Sequence, residues 1–231
     1  MFSSQVKAKY LVQDKEADAA PPTPGMKKDS YYHGTPTKGK AEKIWEEGIL
    51  PDLSSTPEHE ISKPIAGRVY CTKNLSYALM YALGGDMAGK KIVSFLDKYG
   101  QFGYVFVIPG KQLKEIHPDE DEVGKAVYEK KLPWLTKLAK EHLIYEGQIG
   151  YRNLLDGVNS GDYESWITAG KLLLPHLTDE QKLEIIEKYG NVAHEGVLHP
   201  TEMWEIDRNL SLKLKPDGSN FFQIAKKIKT R

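Results

Sequence analysis

Gly67-Arg68-Val69-Tyr70-Cys71-Thr72-Lys73-Asn74-Leu75-Ser76-Tyr77-Ala78-Leu79-Met80-Tyr81 (67–81) is the stretch on which the fold turns. Its first six residues alternate in the manner of a strand. Asn74 or Thr72 can then offer a side-chain oxygen to the unpaired N–H groups of a helix start, and Gly84 with Gly85 ends the helix that follows. Upstream, SYYHG (30–34) reads as a short strand. Pro36 and Gly39 mark a turn, and AEKIWEEG (41–48) is a helix closed by Gly48. Residues 51–64 hold three prolines and are expected as an exposed loop. Downstream, GYVFVIP (103–109) is the plainest buried strand. From about 111 to 190 the pattern is mostly helical, with Pro133 at one helix start and Thr178 with Gln181 forming a capping box at another. Strand character returns at HEGVLH (194–199) and EMWEI (202–206), and FFQIAKKIKTR (221–231) is expected as a basic amphipathic helix. Strands early and late around a helical block give an α+β fold.

The chain has 231 residues, enough to bury roughly 70% of the surface its unfolded form exposes. One domain is expected over 29–231, with a helical insertion at about 111–190. Residues 14–28 combine charge with Pro21, Pro22, Pro24 and Gly25, so 1–28 is expected as an arm or linker. Thirty-two basic and thirty-two acidic residues cancel, which speaks against a polycationic nucleic-acid coat. The single Cys71 excludes an intramolecular disulfide and any cysteine-based zinc cluster. No run approaches the ~20 apolar residues of a membrane helix, and the charged N-terminus is unlike a signal peptide. A cytoplasmic protein, or one delivered into a target cell's cytosol, is the expectation.

Familiar chemical signatures are missing: no GxxxxGK[ST], no GxGxxG after a strand, no GxSxG. His194 and His199 are five residues apart on a predicted strand, so no metal is expected. HPDEDEVG (117–124) reads as a solvated acidic turn, KKIKTR as a basic surface helix, and Trp134 and Trp166 as core. Three segments remain. Tyr32-His33-Gly34-Thr35 ends a strand, where glycine lets a ligand approach the backbone and an imidazole can bond a hydroxyl. Tyr70 and Tyr81 can form two walls of an aromatic slot for a flat cationic ring, although Tyr77, Ala78 and Tyr81 also have the spacing of core residues. Ala193-His194-Glu195-Gly196-Val197 sets an acid on an apolar strand.

In order and spacing these segments resemble the ADP-ribosyltransferase superfamily, in its H-Y-E branch of diphtheria toxin and the poly-ADP-ribose polymerases. The match lies in YHGT, in GRVYCTKNLSYALMY with its eleven-residue step from Tyr70 to Tyr81, and in HEGVL. It covers about half of residues 29–210, leaving the arm and the helical block unexplained. The resemblance implies split antiparallel sheets with NAD, the substrate, in the cleft. His33 would hold the adenine-side ribose, and Gly34 would offer its backbone to the nicotinamide carboxamide with Thr35 beside it. Tyr70 and Tyr81 would stack on the nicotinamide, and Glu195 would be the catalytic acid. The implied catalytic set is His33, Tyr70 and Glu195, with no metal.

Polymerase-like members place serine where this chain has Ala78. Arginine-modifying toxins carry an acid two residues before the catalytic glutamate, where this chain has Ala193. The implied activity is toxin- or effector-like mono-ADP-ribosyl transfer to a macromolecule, a protein side chain before nucleic acid. An antitoxin or inhibitor partner would suit it. Two alternatives stand beside it: RNA 2'-phosphotransfer, with Arg68 and Arg152 as phosphate ligands, and an inactive fold used as a binding module. Glu202 is the alternative acid should Glu195 face away.

Overall fold

A computed structural model describes residues 29–51, 65, 67–84, 99–143, 154–215 and 218–231. The N-terminal arm, most of the 51–64 loop, Gly85 and Arg152 lie outside them. The protein is α+β, and its chain divides into two compact units. The first comprises Met1–Leu50, Cys71–Leu113 and Val197–Arg231; the second comprises Pro51–Tyr70 and Lys114–Gly196. The boundary between Tyr70 and Cys71 falls inside one strand.

In the first unit, β1 (Ser30–Thr35) is followed by α1 (Lys38–Glu47), as the sequence predicts. Strand β2 (Arg68–Thr72) ends in this unit and leads into α2 (Leu75–Leu83). Both candidate caps are used: Thr72 Oγ1 accepts from the Asn74 N–H, and Asn74 Oδ1 from the Ser76 N–H. Gly84 closes the helix at φ 92°, a left-handed conformation that costs glycine little. Strand β3 (Phe102–Pro109) is the buried strand expected, and it pairs in full antiparallel register with β1.

Side chains of alternate residues enter two cores. Tyr32, Val105, Val107 and Ile206 meet α2 and Phe221 on one face. Tyr104, Phe106 and Met203 meet Ala41 of α1 on the other. Gly34 and Gly103 let α2 lie close on the strands. A Cβ at either would stand 1.9 Å from the Ala78 carbonyl oxygen or 2.1 Å from that of Ala82.

The Arg208 guanidinium fastens this arrangement. Only 2% exposed, it donates to the carbonyls of Pro36 (2.6 Å), Ala82 (3.0 Å), Gly100 (2.6 Å) and Phe102 (2.5 Å). One side chain thereby satisfies oxygens at the end of α2, after β1, and just before and at the start of β3.

The end of the chain differs from expectation. Following β6 (Glu202–Asp207) and a 3-10 helix at Arg208–Lys213, α-helical backbone among the described residues is confined to Phe221–Ile224, and Lys226–Thr230 forms strand β7 on β6. Ile228 packs toward the Ala41 core, while Lys227 lies over Trp204 and reaches Glu202 at 3.0 Å. A period of two in K-K-I-K-T thus prevails over the helical reading. The hydrogen-bonded order in this unit is β2-β1-β3-β6-β7.

In the second unit the order is β4-β5-β2, with β4 at Ile116–Pro118 and β5 at Asn191–Glu195. The helical block holds α3 (Glu120–Glu129), α4 (Pro133–His142), α5 (Leu154–Asn159), α6 (Tyr163–Leu173) and α7 (Asp179–Tyr189). Pro133 opens α4, and Thr178 with Gln181 forms the capping box of α7. Helices α3 and α6 touch backbone to backbone. A Cβ on Gly124 would stand 2.1 Å from the Trp166 oxygen, and one on Gly170 would stand 1.9 Å from that of Glu120.

Three expectations are corrected here. Strand β4 is too short to show a period. HPDEDEVG is no solvated turn: Asp119 caps α3 and Glu120 and Glu122 are buried. Trp166 is core, but Trp134 is only half-buried and donates its Nε1–H to Glu184 at 2.8 Å. No helix among the described residues is long and apolar enough to cross a membrane.

Candidate functional site

The candidate residues fall in both units. His33, Gly34, Thr35 and Tyr81 belong to the first, and Tyr70 and Glu195 to the second.

On β1, backbone direction follows from the ladder. Gly110 N–H donates to the Asp29 carbonyl, while the Val107 carbonyl accepts from Thr201 and so turns toward β6. Tyr32, paired with Val107, therefore turns its own N–H and C=O away from β3 and toward β2. Gly34, two residues on, does the same. Yet the register between β1 and β2 is one pair, Tyr32↔Thr72. The Gly34 donor and acceptor thus lie along a strand edge beyond that pair.

The missing side chain of Gly34 serves a different purpose from the one expected. The α2 backbone, not a ligand, occupies its place. His33 projects from the opposite face, half-buried, and Thr35 is buried on the same face as His33. Ala78, the position where the resemblance would lead one to expect a serine, is buried against β1. Tyr81 is 38% exposed and lies edge-on to Tyr77, with ring centroids 5.7 Å apart. Neither ring is core, which corrects the packing reading for Tyr77 and Tyr81 and retains it for Ala78.

In the second unit, Arg68 and Tyr70 share one face of β2. The Tyr70 hydroxyl donates to the Glu120 carboxylate, 2.9 and 3.0 Å from its two oxygens, and accepts from the Ile65 N–H at 2.9 Å. Burial, and then the Glu120 charge, push the phenol well above its ordinary pKa, so it stays a neutral donor. Glu195 ends β5, and Gly196 at φ 107° turns the chain away, cutting short the strand expected over 194–199. The Glu195 side chain is 48% exposed, and its Oε1 lies 3.3 Å from Arg68 Nη2 and 3.4 Å from His117 Nε2. His117 pairs with Ala193, so His117, Ala193 and Glu195 share a face. Burial first, and then the Arg68 charge, hold the imidazole below its usual pKa, against the pull of Glu195.

Glu202 is placed differently. It is buried on β6 in the first unit, accepting from Trp204 Nε1–H at 2.9 Å and Lys227 at 3.0 Å. Its carboxylate is already occupied with packing partners. Sequence reasoning missed His117, whose strand has only three residues, and Glu120, hidden in an acidic run. No sequence signal pointed to either, because three residues show no period.

Neither protein-family models, nor curated proteins, nor solved structures match the chain.

Proposed function

We propose that the protein is an NAD-dependent mono-ADP-ribosyltransferase, toxin- or effector-like, releasing nicotinamide and transferring ADP-ribose to a macromolecule. The observation that carries the reading is the Gly34 edge. A backbone N–H and C=O turned outward beyond a one-pair ladder offer the donor–acceptor couple that a carboxamide needs. Tyr81 is exposed on the helix packed against that same strand, which supports a stacking role.

The residue types suit the chemistry. Breaking the bond between nicotinamide and ribose spreads positive charge over the sugar. A carboxylate bonded to the ribose 2'-hydroxyl stabilises that charge more in the transition state than in the ground state. Glu195 takes this role because its carboxylate is accessible where that of Glu202 is engaged. His33 takes the ribose role, and Tyr70 is the second stacking ring, its hydroxyl anchored by Glu120.

A protein acceptor is favoured over nucleic acid because the chain carries no net charge. Ala193, at the position of the second acid, disfavours arginine as the modified residue. Incubating the full chain with labelled NAD and a cell lysate tests the reading. Label should appear in macromolecules and be removed by protease; label removed only by nuclease would overturn the choice of acceptor. Absence of labelling together with absence of nicotinamide release would overturn the enzyme reading in favour of a binding module.

A further inference from the structure

We propose that Arg68 anchors a phosphate-binding subsite on the second unit, beside Glu195. The NAD reading leaves this side chain unassigned. Arg68 stands on β2 with its side chain only 12% exposed. Its Nη2 donates to Glu195 at 3.3 Å, the long end of a hydrogen bond. Its Nε and Nη1 are buried and have no hydrogen-bond acceptor among the described residues. Buried guanidinium donors without acceptors are expensive and rare, and in functional sites they await a ligand.

The neighbourhood indicates what the ligand is. Tyr70, on the same face, already has both its partners in Glu120 and Ile65, so it does not compete for an acceptor. His117 Nε2 approaches the same Glu195 oxygen as Arg68, and Arg68 and Lys182 both act on His117 as positive charges. Donors here outnumber the acceptors that one half-exposed carboxylate supplies. A planar guanidinium fork with unused N–H groups matches phosphate, whose several oxygens can take two or more at once. The phosphate can belong to the pyrophosphate of a dinucleotide or to a phosphate monoester on an acceptor.

Calorimetry and the 15N-resolved Nε–H signal of Arg68 test this on the full chain, with methyl phosphate and ADP-ribose as probes. At least one probe should shift the Arg68 signal in the wild-type protein. Arg68→Lys, which keeps the charge but loses the fork, should weaken that probe by about tenfold or more. Loss of methyl phosphate binding under saturating ADP-ribose assigns the subsite to the dinucleotide; persistence of that binding assigns it to the acceptor. Methyl phosphate binding without ADP-ribose binding would support the subsite while removing the NAD reading. The proposal is overturned if neither probe moves the wild-type Arg68 signal. It is equally overturned if Arg68→Lys and Arg68→Gln, shown folded by thermal unfolding, bind both probes as tightly as wild type.

Discussion

Glycine 34 shows how one residue can be right in a motif for a reason the motif does not reveal. Its backbone edge supports the NAD reading, but its lack of a side chain is demanded by α2. Gly34→Ala would push a methyl group to 1.9 Å from the Ala78 oxygen. Overpacking of that kind costs about 1–3 kcal/mol or more, so the variant should lose stability in denaturant unfolding whether or not NAD binds. The tyrosines of α2 separate binding from stability better. Tyr81→Ala removes an exposed ring and should weaken NAD in calorimetry with little change in melting temperature. Tyr77→Ala removes a half-buried ring that props Tyr81, losing about 0.5–1.5 kcal/mol of edge-to-face contact and less NAD affinity than Tyr81→Ala. Equal NAD affinity in Tyr81→Ala and wild type would contradict the stacking role.

At the scale of elements, the N-terminus of α3 is where the acidic run acquires a physical meaning. Asp119 caps the helix, Glu120 holds Tyr70, and Asp121 accepts from the Tyr163 hydroxyl. Burial raises the Asp121 carboxyl to about 6, with the Tyr163 bond opposing and the Glu120 charge adding. Asp119 is held well above its ordinary value by burial and by its acidic neighbours. The native state therefore binds these protons more tightly than the unfolded chain, whose carboxyls titrate near 4. For Asp121, stability should be greatest below pH 4, decline between about 4 and 6, and stay reduced above, and Asp119 acts in the same direction. Asp121→Asn should remove part of that decline, by on the order of 2 kcal/mol at pH 7, measured as the pH dependence of denaturant unfolding.

Elements with a long period or a firm cap were legible from sequence: β3, α2 closed by Gly84, and α7 with its capping box. The missed ones had neither. β4 is three residues long, and β7 carries lysines that mimic the polar face of a helix. Candidate residues in continuous motifs, such as His33 and Glu195, could be named in advance. Their partners His117, Glu120 and Arg208 could not, because each is tied to them, or to their elements, only through the fold.

For the molecule as a whole, the roles proposed for Tyr70 and Glu195 tie the second unit to catalysis. Its β4 brings His117 to Glu195, and its α3 brings Glu120 to Tyr70. Deleting the helical block should therefore abolish nicotinamide release as well as transfer. Reversing exposed charges on its surface, at Lys137, Lys140, Glu141, Glu187 and Lys188, should instead lower transfer to the acceptor while sparing nicotinamide release. Unchanged transfer by that variant would place acceptor recognition elsewhere. The most direct measurement of the central claim is nicotinamide release by the purified chain and by Glu195→Gln, each paired with calorimetric NAD binding. Glu195→Gln should lower kcat by about 10²–10³, roughly 3–4 kcal/mol of transition-state stabilisation, with NAD affinity nearly unchanged. Equal turnover in the two proteins, or no NAD bound or consumed by the wild type, would contradict it.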